Sequence, residues 1–351
     1  MSKEEIRLTQ YSHGAGCGCK IAPQVLDEIL KSSSSKLSFP SLLIGNSGKD
    51  DAAVYKWNEE ESIIATTDFF TPIVDDPLTF GMVAAANAIS DVYAMGGEPI
   101  LALAILGWPI EKLPVEAAQK VLEGARIICD EAGIPLAGGH SIDIPEPVFG
   151  LSVNGRIKTK HIKQNNQAKV GDVLLITKPI GIGVLATAEK RGLIEPEDKA
   201  NLYAKLTELN KLGLLLGRLE GVTAMTDVTG FGLAGHLIEM CEGANLSAEL
   251  EYQAIPKLAN IQNYLSKNSI PDATYRNWKG YGEKIQLGAS VNFMEAFQLL
   301  PDPQTNGGLL VAVRPGLLEE VQQVFNENGY GDFIQPIGRI IEKNEKVILV
   351  N

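Results

Sequence analysis

No run of about 18 apolar residues occurs in the 351 residues, so no transmembrane helix is expected. The opening stretch MSKEEIRLTQYSHG lacks the apolar core of a secretory leader. Cysteine is scarce. Four residues, at 17, 19, 129 and 241, make no disulfide framework, and the first two are too close for an unstrained bridge. They also cannot complete a structural zinc site, since no further Cys/His pair has ligand spacing. A reducing, cytoplasmic setting is expected. No G-x-x-x-x-G-K-[ST] is present, which excludes a P-loop. Positive charge is in deficit, 31 Lys and Arg against 43 Asp and Glu. The net charge of -12 argues against nucleic acid or an anionic membrane as partner. It leaves nucleotide phosphates open, because bound divalent metal inverts a local potential.

What is present begins with HGAGCGCK, His13 to Lys20. Glycines at 14, 16 and 18 space the stretch around a nucleophilic thiol, Cys17, and a second at Cys19, and Lys20 supplies a cation that stabilises a thiolate. Asp50, Asp51, Asp68, Asp91 and Asp227 sit in or beside apolar stretches, where an unpaired charge is costly. Any one of them reads as a cap or a salt-bridge partner. Together, near strand ends, they suggest oxygen ligation of Mg²⁺ shared with phosphate. Asn87 and Asp91 fall at i,i+4, on one helix face. Gly138-Gly139-His140-Ser141 follows a strand, where backbone amides could hold a phosphate; the alternative is a plain turn with a structural histidine. His13 and His236 read the same two ways. Cys129 and Cys241 lie in apolar helical settings and are expected buried and inert. Gly230-x-Gly232-x-x-Gly235 and the pattern from Gly181 match dinucleotide-binding spacing, but neither opens a run of parallel βαβ units, and tight strand-to-helix turns explain them better.

Periodicity predicts helices over 21–30, 79–95, 115–132, 197–219 (one long amphipathic helix) and 316–328, with KSSSSK as loop. Strands are expected at 62–70, 100–108 (buried), 134–143 (ending in the Gly-Gly-His-Ser turn), 148–157, 172–178 and 222–227, with one final strand. Alternation of the two element types in both halves indicates α/β or α+β, and the polar, basic stretch 156–172 marks the domain boundary. No sequence repeat relates the halves.

Taken together, RLTQYSHGAGCGCK, DDAAVY, TTDFF, NAISDVYAMGG, ILGWPI, AGGHSID, TKPIGIGVL, AMTDVTGFGLAGH and DPQTNGG resemble the selenophosphate synthetase (selenide, water dikinase) family over nearly the whole chain. The Gly-Cys-Gly-Cys-Lys arm separates that family from aminoimidazole ribonucleotide synthetases, thiamine-monophosphate kinases and hydrogenase-maturation proteins of the same superfamily. One departure is Asn306 where serine is expected, at a position with no named role. The resemblance implies a two-domain fold whose N-terminal domain contributes to a dimeric β-barrel. Residues 1–48 would form a mobile arm that is disordered without nucleotide, 49–157 the ATP/Mg and dimerisation domain, and 169–351 a C-terminal α/β domain. The reaction implied is ATP, selenide and water giving selenophosphate, orthophosphate and AMP, with Mg²⁺ and a monovalent cation such as K⁺. Cys17 would handle selenium, Lys20 would support the thiolate and the phosphoryl group, and Cys19 would be auxiliary. Asp51, Asp91 and Asp227 would ligate metal. Gly48, Lys49, Asp50 and Asp68, with Lys20 and Asp91, would contact the nucleotide, and Gly139, His140 and Ser141 would reach ATP bound mainly to the other subunit. Asn87 would support the metal shell. A homodimer and a selenium-delivery protein are the implied partners. The competing readings are another synthetase or kinase of the superfamily, a thiol-based metal or selenium carrier, and a dinucleotide oxidoreductase.

Overall fold

Asp76 starts the helix on which the fold is centred. Its carboxylate accepts from the Thr79 N–H at 2.8 Å, and Pro77 occupies the first turn, where no amide partner is needed. The computed structural model describes residues 6–12, 14–19, 25, 28, 29, 39–45, 48 and 50–351, with Cys17 and Cys19 by backbone alone. His13, Lys20, Lys49, most of the helix expected at 21–30 and the KSSSSK loop lie outside the described residues.

The helix α1 (Pro77–Ala94) is alanine-rich and buried almost all round. It can afford no polar face because it packs on two sides at once. One side meets a six-stranded sheet of β1 (Leu42–Ile44), β2 (Ala53–Lys56), β3 (Glu61–Phe70), β4 (Glu98–Trp108), β5 (Leu136–Asp143) and β6 (Val148–Lys158), in the order β1-β2-β3-β6-β4-β5. A second helix, α2 (Val115–Ala132), lies beside α1 and makes the crossover between the parallel strands β4 and β5. The other side of α1 meets the C-terminal half.

That half is a mixed seven-stranded sheet. Its strands are β7 (Val173–Ile176), β8 (Val222–Asp227), β9 (Ser247–Leu250), β10 (Ile285–Leu287), β11 (Leu309–Val313), β12 (Gly338–Ile341) and β13 (Ile348–Val350), in the order β10-β13-β9-β12-β7-β11-β8. The edge strand β8 lies against α1, as do α4 (Pro196–Thr207) and α5 (Leu212–Leu216). Around the sheet stand α3 (Ile182–Lys190), α6 (Gly232–Ala244), α7 (Ile261–Ser266), α8 (Asp272–Tyr281), α9 (Phe293–Leu299) and α10 (Leu318–Glu327). Among the described residues no helix is long and apolar enough to cross a membrane.

Four expectations are corrected. The helix expected over 197–219 is two helices, α4 and α5, because residues between them turn inward to serve other segments. Gly138 to Ser141 do not turn after a strand; they lie within β5, the open edge of the first sheet. Strand β4 is buried on one face only. By register Phe69, Leu103 and Ile142 share the opposite face of the sheet and are 52%, 39% and 54% exposed. The C-terminal end carries two strands, β12 and β13, where one was expected. The glycine pattern at 230–235 is a packing feature. Gly232 has φ +72°, and a Cβ there would lie 2.7–2.9 Å from backbone atoms of residues 300–302.

Candidate active site: a carboxylate centre and the glycine arm

Three elements meet at the carboxylates: the segment before β2, the helix α1 and the end of β8. Asp51 precedes β2, Asp91 lies one turn along α1 from Asn87, and Asp227 is the last residue of β8. Each is held by a hydroxyl. Thr226 donates to Asp51 at 2.8 Å, Thr66 to Asp91 at 2.5 Å and Ser90 to Asp227 at 2.6 Å. Asn210, from the break between α4 and α5, donates at 2.8 Å to Ser90 and to the Gly307 carbonyl. Asp50 accepts from the Asn165 N–H at 2.9 Å. Burial, then the negative charges of Asp227 and Asp91, drive the Asp51 carboxyl well above the usual carboxylate range; Asp50 adds to this and the Thr226 hydroxyl opposes it. Asp50 is raised as well, chiefly by burial. The Oδ2 atoms of Asp50 and Asp51 are shielded from solvent and have no hydrogen-bond partner.

Such an arrangement calls for a cation. Like charges crowd a carboxylate whose free oxygen nothing satisfies. Among the described residues, no three His, Cys, Asp or Glu side chains form a ready-made metal cage. Carboxylate oxygens suit Mg²⁺, whose coordination phosphate oxygens and water complete. The residues present fit the metal: the Asp51 carboxylate keeps a shielded oxygen with no hydrogen-bond partner.

Asp68, on β3, accepts from the Asn87 amide, and Asn87 Oδ1 in turn accepts from the Asn306 N–H at 2.7 Å. The structure thus sets Asn87 between Asp68 and the 302–308 segment. Gly48 lies against Asp50, since a Cβ there would stand 2.5 Å from Asp50 Oδ2. Gly139, His140 and Ser141 are not brought to this centre. They lie on β5, four strand steps from β2, a span of about 19 Å at about 4.8 Å per step.

Several residues that hold the centre escaped sequence reasoning. Lys178, after β7, is buried, and its ammonium donates to the carbonyls of Glu208 at 2.7 Å and Asn306 at 2.9 Å. Burial lowers its pKa to about 7. Asn306 takes φ +49° and donates to the carbonyls of Leu206 and Glu208, both at 2.8 Å. The departure from serine at this position is therefore used. Asparagine tolerates the left-handed region and its amide reaches two acceptors. Asp302 is buried, accepts from the Gly183 N–H at 3.0 Å and the Gln304 amide at 2.8 Å, and is pushed up to about 8 by burial. A lysine at the end of an otherwise apolar strand was the available signal for Lys178.

The glycine arm is docked against Thr71, Ile73 and the 303–305 segment. Gly16–Cys19 form a single 3₁₀ turn that carries the Cys17 backbone. The Gly16 N–H donates to Thr71 O at 3.0 Å, and the Arg276 guanidinium donates to Gly18 O at 2.6 Å. Upstream, Arg7 pairs with Asp75 at 2.7 Å, and the Thr9 hydroxyl donates to the same carboxylate at 2.5 Å. Gly16 has φ +52°, and a Cβ on it would stand 2.5 Å from Thr305 Oγ1 and 2.8 Å from Ile73 Cδ1. His236 is a structural residue; its Nε2 accepts from the Thr229 N–H at 3.0 Å. Cys129 and Cys241 are buried, and burial pushes their thiols up to about 11 and about 12, away from reactivity.

Two α/β units joined through one buried helix, with carboxylates where they meet, define a class. Residues 49–157 match the AIR synthase related protein, N-terminal domain, and residues 169–351 match the corresponding C-terminal domain. Solved structures share this fold. A thiamine-monophosphate kinase from Stenotrophomonas maltophilia superposes with TM-score 0.66 at 18% identity, covering 95% of this chain and 96% of its own. The hydrogenase maturation protein HypE in complex with ATP gives 0.66 at 18%, covering 98% and 94%. Among curated proteins, the selenide, water dikinase of Pseudomonas putida is 52% identical over 347 residues, 99% of each chain. That of Aeromonas hydrophila is 55% identical over 335 residues, 95% of each. The chain belongs to the selenide, water dikinase family.

Proposed function

We propose that this chain makes selenophosphate from selenide, ATP and water, releasing orthophosphate and AMP in a Mg²⁺-dependent reaction. The observation that carries the reading is the Asp51 carboxylate, with an unpartnered shielded oxygen among Asp50, Asp91 and Asp227. Two phosphoryl bonds must break to reach AMP, so a highly charged chain must be neutralised while it is held in line. Asp51, Asp91 and Asp227 would hold Mg²⁺, which supplies that neutralisation when bound. Gly48, Lys49, Asp50 and Asp68 would line the nucleotide. Thr66, Thr226 and Ser90 fix the carboxylate orientations, so the site is ordered before substrate arrives.

Cys17 would present the selenium nucleophile, with Lys20 countering charge on the thiolate and the migrating phosphoryl group. Cys19 is auxiliary in this reading. A monovalent ion such as K⁺ would share the neutralisation, and a selenium-delivery protein would supply the substrate. Two copies of the chain would pair through the first sheet to form a central β-barrel. Support comes from its apolar face at Phe69, Leu103 and Ile142 and from the open edge of β5. In that dimer Gly139, His140 and Ser141, remote from their own carboxylate centre, would complete the partner's site. The domain division at 49–157 and 169–351 follows the same reading.

The test is anaerobic product analysis of the protein with Mg-ATP, with and without selenide. AMP and a selenium-phosphorus product that appear only with selenide are expected, and Cys17→Ser should lose the selenium product. ADP as sole nucleotide product, indifferent to selenide, would reassign the chain to the kinase or synthetase relatives.

A further inference from the structure

A pocket of about 310 Å³ opens beneath the docked arm, lined by Pro303 and Thr305 and by none of Asp50, Asp51, Asp91 and Asp227. Gly14, Ala15 and Gly18 form one wall, and three cations line it: Lys190, Arg191 and Arg276, against one acidic residue, Asp272. We infer that this pocket is an oxyanion site, separate from the carboxylate centre, that holds a phosphorus oxyanion produced by the reaction. The inference rests on the phosphoryl-transfer reading above.

A net positive pocket is not what composition predicts for a chain of net charge -12. Lys190 and Arg191 end helix α3, where cations complement the helix dipole without any ligand. That explanation fails for Arg276, which comes from α8 and converges on the same space. Nor do existing contacts use up the donors. Arg191 donates one N–H to Asn268 O at 2.7 Å, and Arg276 donates one to Gly18 O at 2.6 Å. Each guanidinium has five N–H donors, so most of each fork remains for a ligand. Among the described residues the Lys190 ammonium makes only long contacts, to Ser12 O at 3.2 Å and Gly14 O at 3.5 Å.

The volume lies at the low end for small-molecule sites, which favours a compact anion over a whole nucleotide. Arginine forks match tetrahedral oxyanions in bidentate fashion. The position fits as well. Thr305 lines the pocket, and the next residue, Asn306, bonds to the Asn87 that holds Asp68. The 302–306 segment therefore runs from the pocket to the residues around Asp68. A multiply charged phosphorus product is attracted by the three cations. Because the arm forms a wall, opening the arm also opens the pocket.

The experiment is titration of sodium orthophosphate into the full-length protein, without nucleotide or Mg²⁺, followed by ³¹P line broadening at low and at physiological salt. One saturable site is expected. Arg191→Gln and Arg276→Gln should each weaken it about tenfold, the loss of a charge-assisted hydrogen bond, and Arg191→Lys less. Arg191 touches no arm residue by hydrogen bond, so its effect separates anion binding from arm docking. Asp51→Asn should leave binding intact. Competition with thiophosphate, the sulfur analogue of selenophosphate, assigns the site: tighter thiophosphate points to the selenium product, tighter orthophosphate to the inorganic one. The inference is overturned by absence of saturable binding, by indifference to both arginine changes, or by binding that needs Mg²⁺ and disappears with Asp51→Asn. None of these readouts needs turnover. AMP formation without phosphate binding removes this inference alone, and phosphate binding without AMP formation removes the dikinase reading and leaves an anion site.

Discussion

Replacing Asp51 by asparagine should strengthen the metal-free protein and remove its response to Mg²⁺. In the wild-type chain one oxygen of Asp51 accepts from Thr226 at 2.8 Å, and the other is shielded and unpartnered beside three further aspartates. Asparagine keeps the acceptor. It replaces the unsatisfied oxygen with an NH₂ donor, and the neighbouring carboxylates become acceptors where they had been repulsive. Leaving a buried polar group unsatisfied costs about 1–3 kcal/mol, so the variant should gain that much in EDTA. Magnesium reverses the order. At about 100 times its dissociation constant a ligand stabilises by about 2.7 kcal/mol, and in the proposed site only the wild type would keep all three carboxylates for the metal. The assay is denaturant unfolding of both proteins in EDTA and in saturating Mg-ATP, alongside AMP production. The expected result is a crossing: Asp51→Asn more stable without metal, less stable with it, and inactive. An asparagine variant that is weaker in EDTA, or that keeps the wild-type magnesium shift, would refute the reasoning.

Asp302 and Lys178 give opposite pH signatures. Asp302 is raised from 3.8 to about 8, so the folded state holds a proton the unfolded chain lacks, and stability should fall as pH rises from about 4 to about 8. Asp302→Asn should flatten that interval and raise stability at pH 8 by about 1–3 kcal/mol, measured by urea unfolding. Lys178 is lowered from 10.5 to about 7, so the unfolded chain binds the extra proton and stability should rise between those values. Lys178→Met should abolish the rise and cost about 1–3 kcal/mol at neutral pH, because two carbonyls lose their donor; thermal scans from pH 7 to 10 test this. Gly16→Ala should undock the arm without unfolding the domains. The left-handed backbone alone costs about 1–2 kcal/mol, so kcat/KM should fall roughly five- to thirtyfold. Exchange of the Gly16 amide should quicken by a similar factor; unchanged exchange would remove the steric argument.

What could be read from the sequence had causes local to it. Asp76-Pro77 and the alanine run specify α1 by capping and propensity, and the 18-residue helix Val115–Ala132 ends at Gly133 in the left-handed region. The aspartates were legible because a carboxylate in an apolar stretch is anomalous wherever it falls. Their partners were not, since Ser90, Thr66, Thr226 and Asn210 are residue types that occur equally well on a surface. Amphipathic spacing over 197–219 could not reveal the break, because the reason for it is distant: Asn210 bonds Ser90, 120 residues away, and Glu208 offers its carbonyl to Lys178 and Asn306. Gly-Gly-His-Ser read as a turn because its glycines suit one, and only sheet order places it on an edge strand remote from the carboxylates. The arm shows most clearly why local chemistry is incomplete. Its glycines read as joints, but the anchors that meet them, Thr71, Lys190, Arg276 and Thr305, are spread across both halves of the chain. With φ +52° and no space for a methyl group, Gly16 serves the docked turn itself. A glycine chosen for one closed geometry and a glycine chosen for freedom are identical in sequence. They differ only in what surrounds them, and that difference makes the alanine substitution decisive.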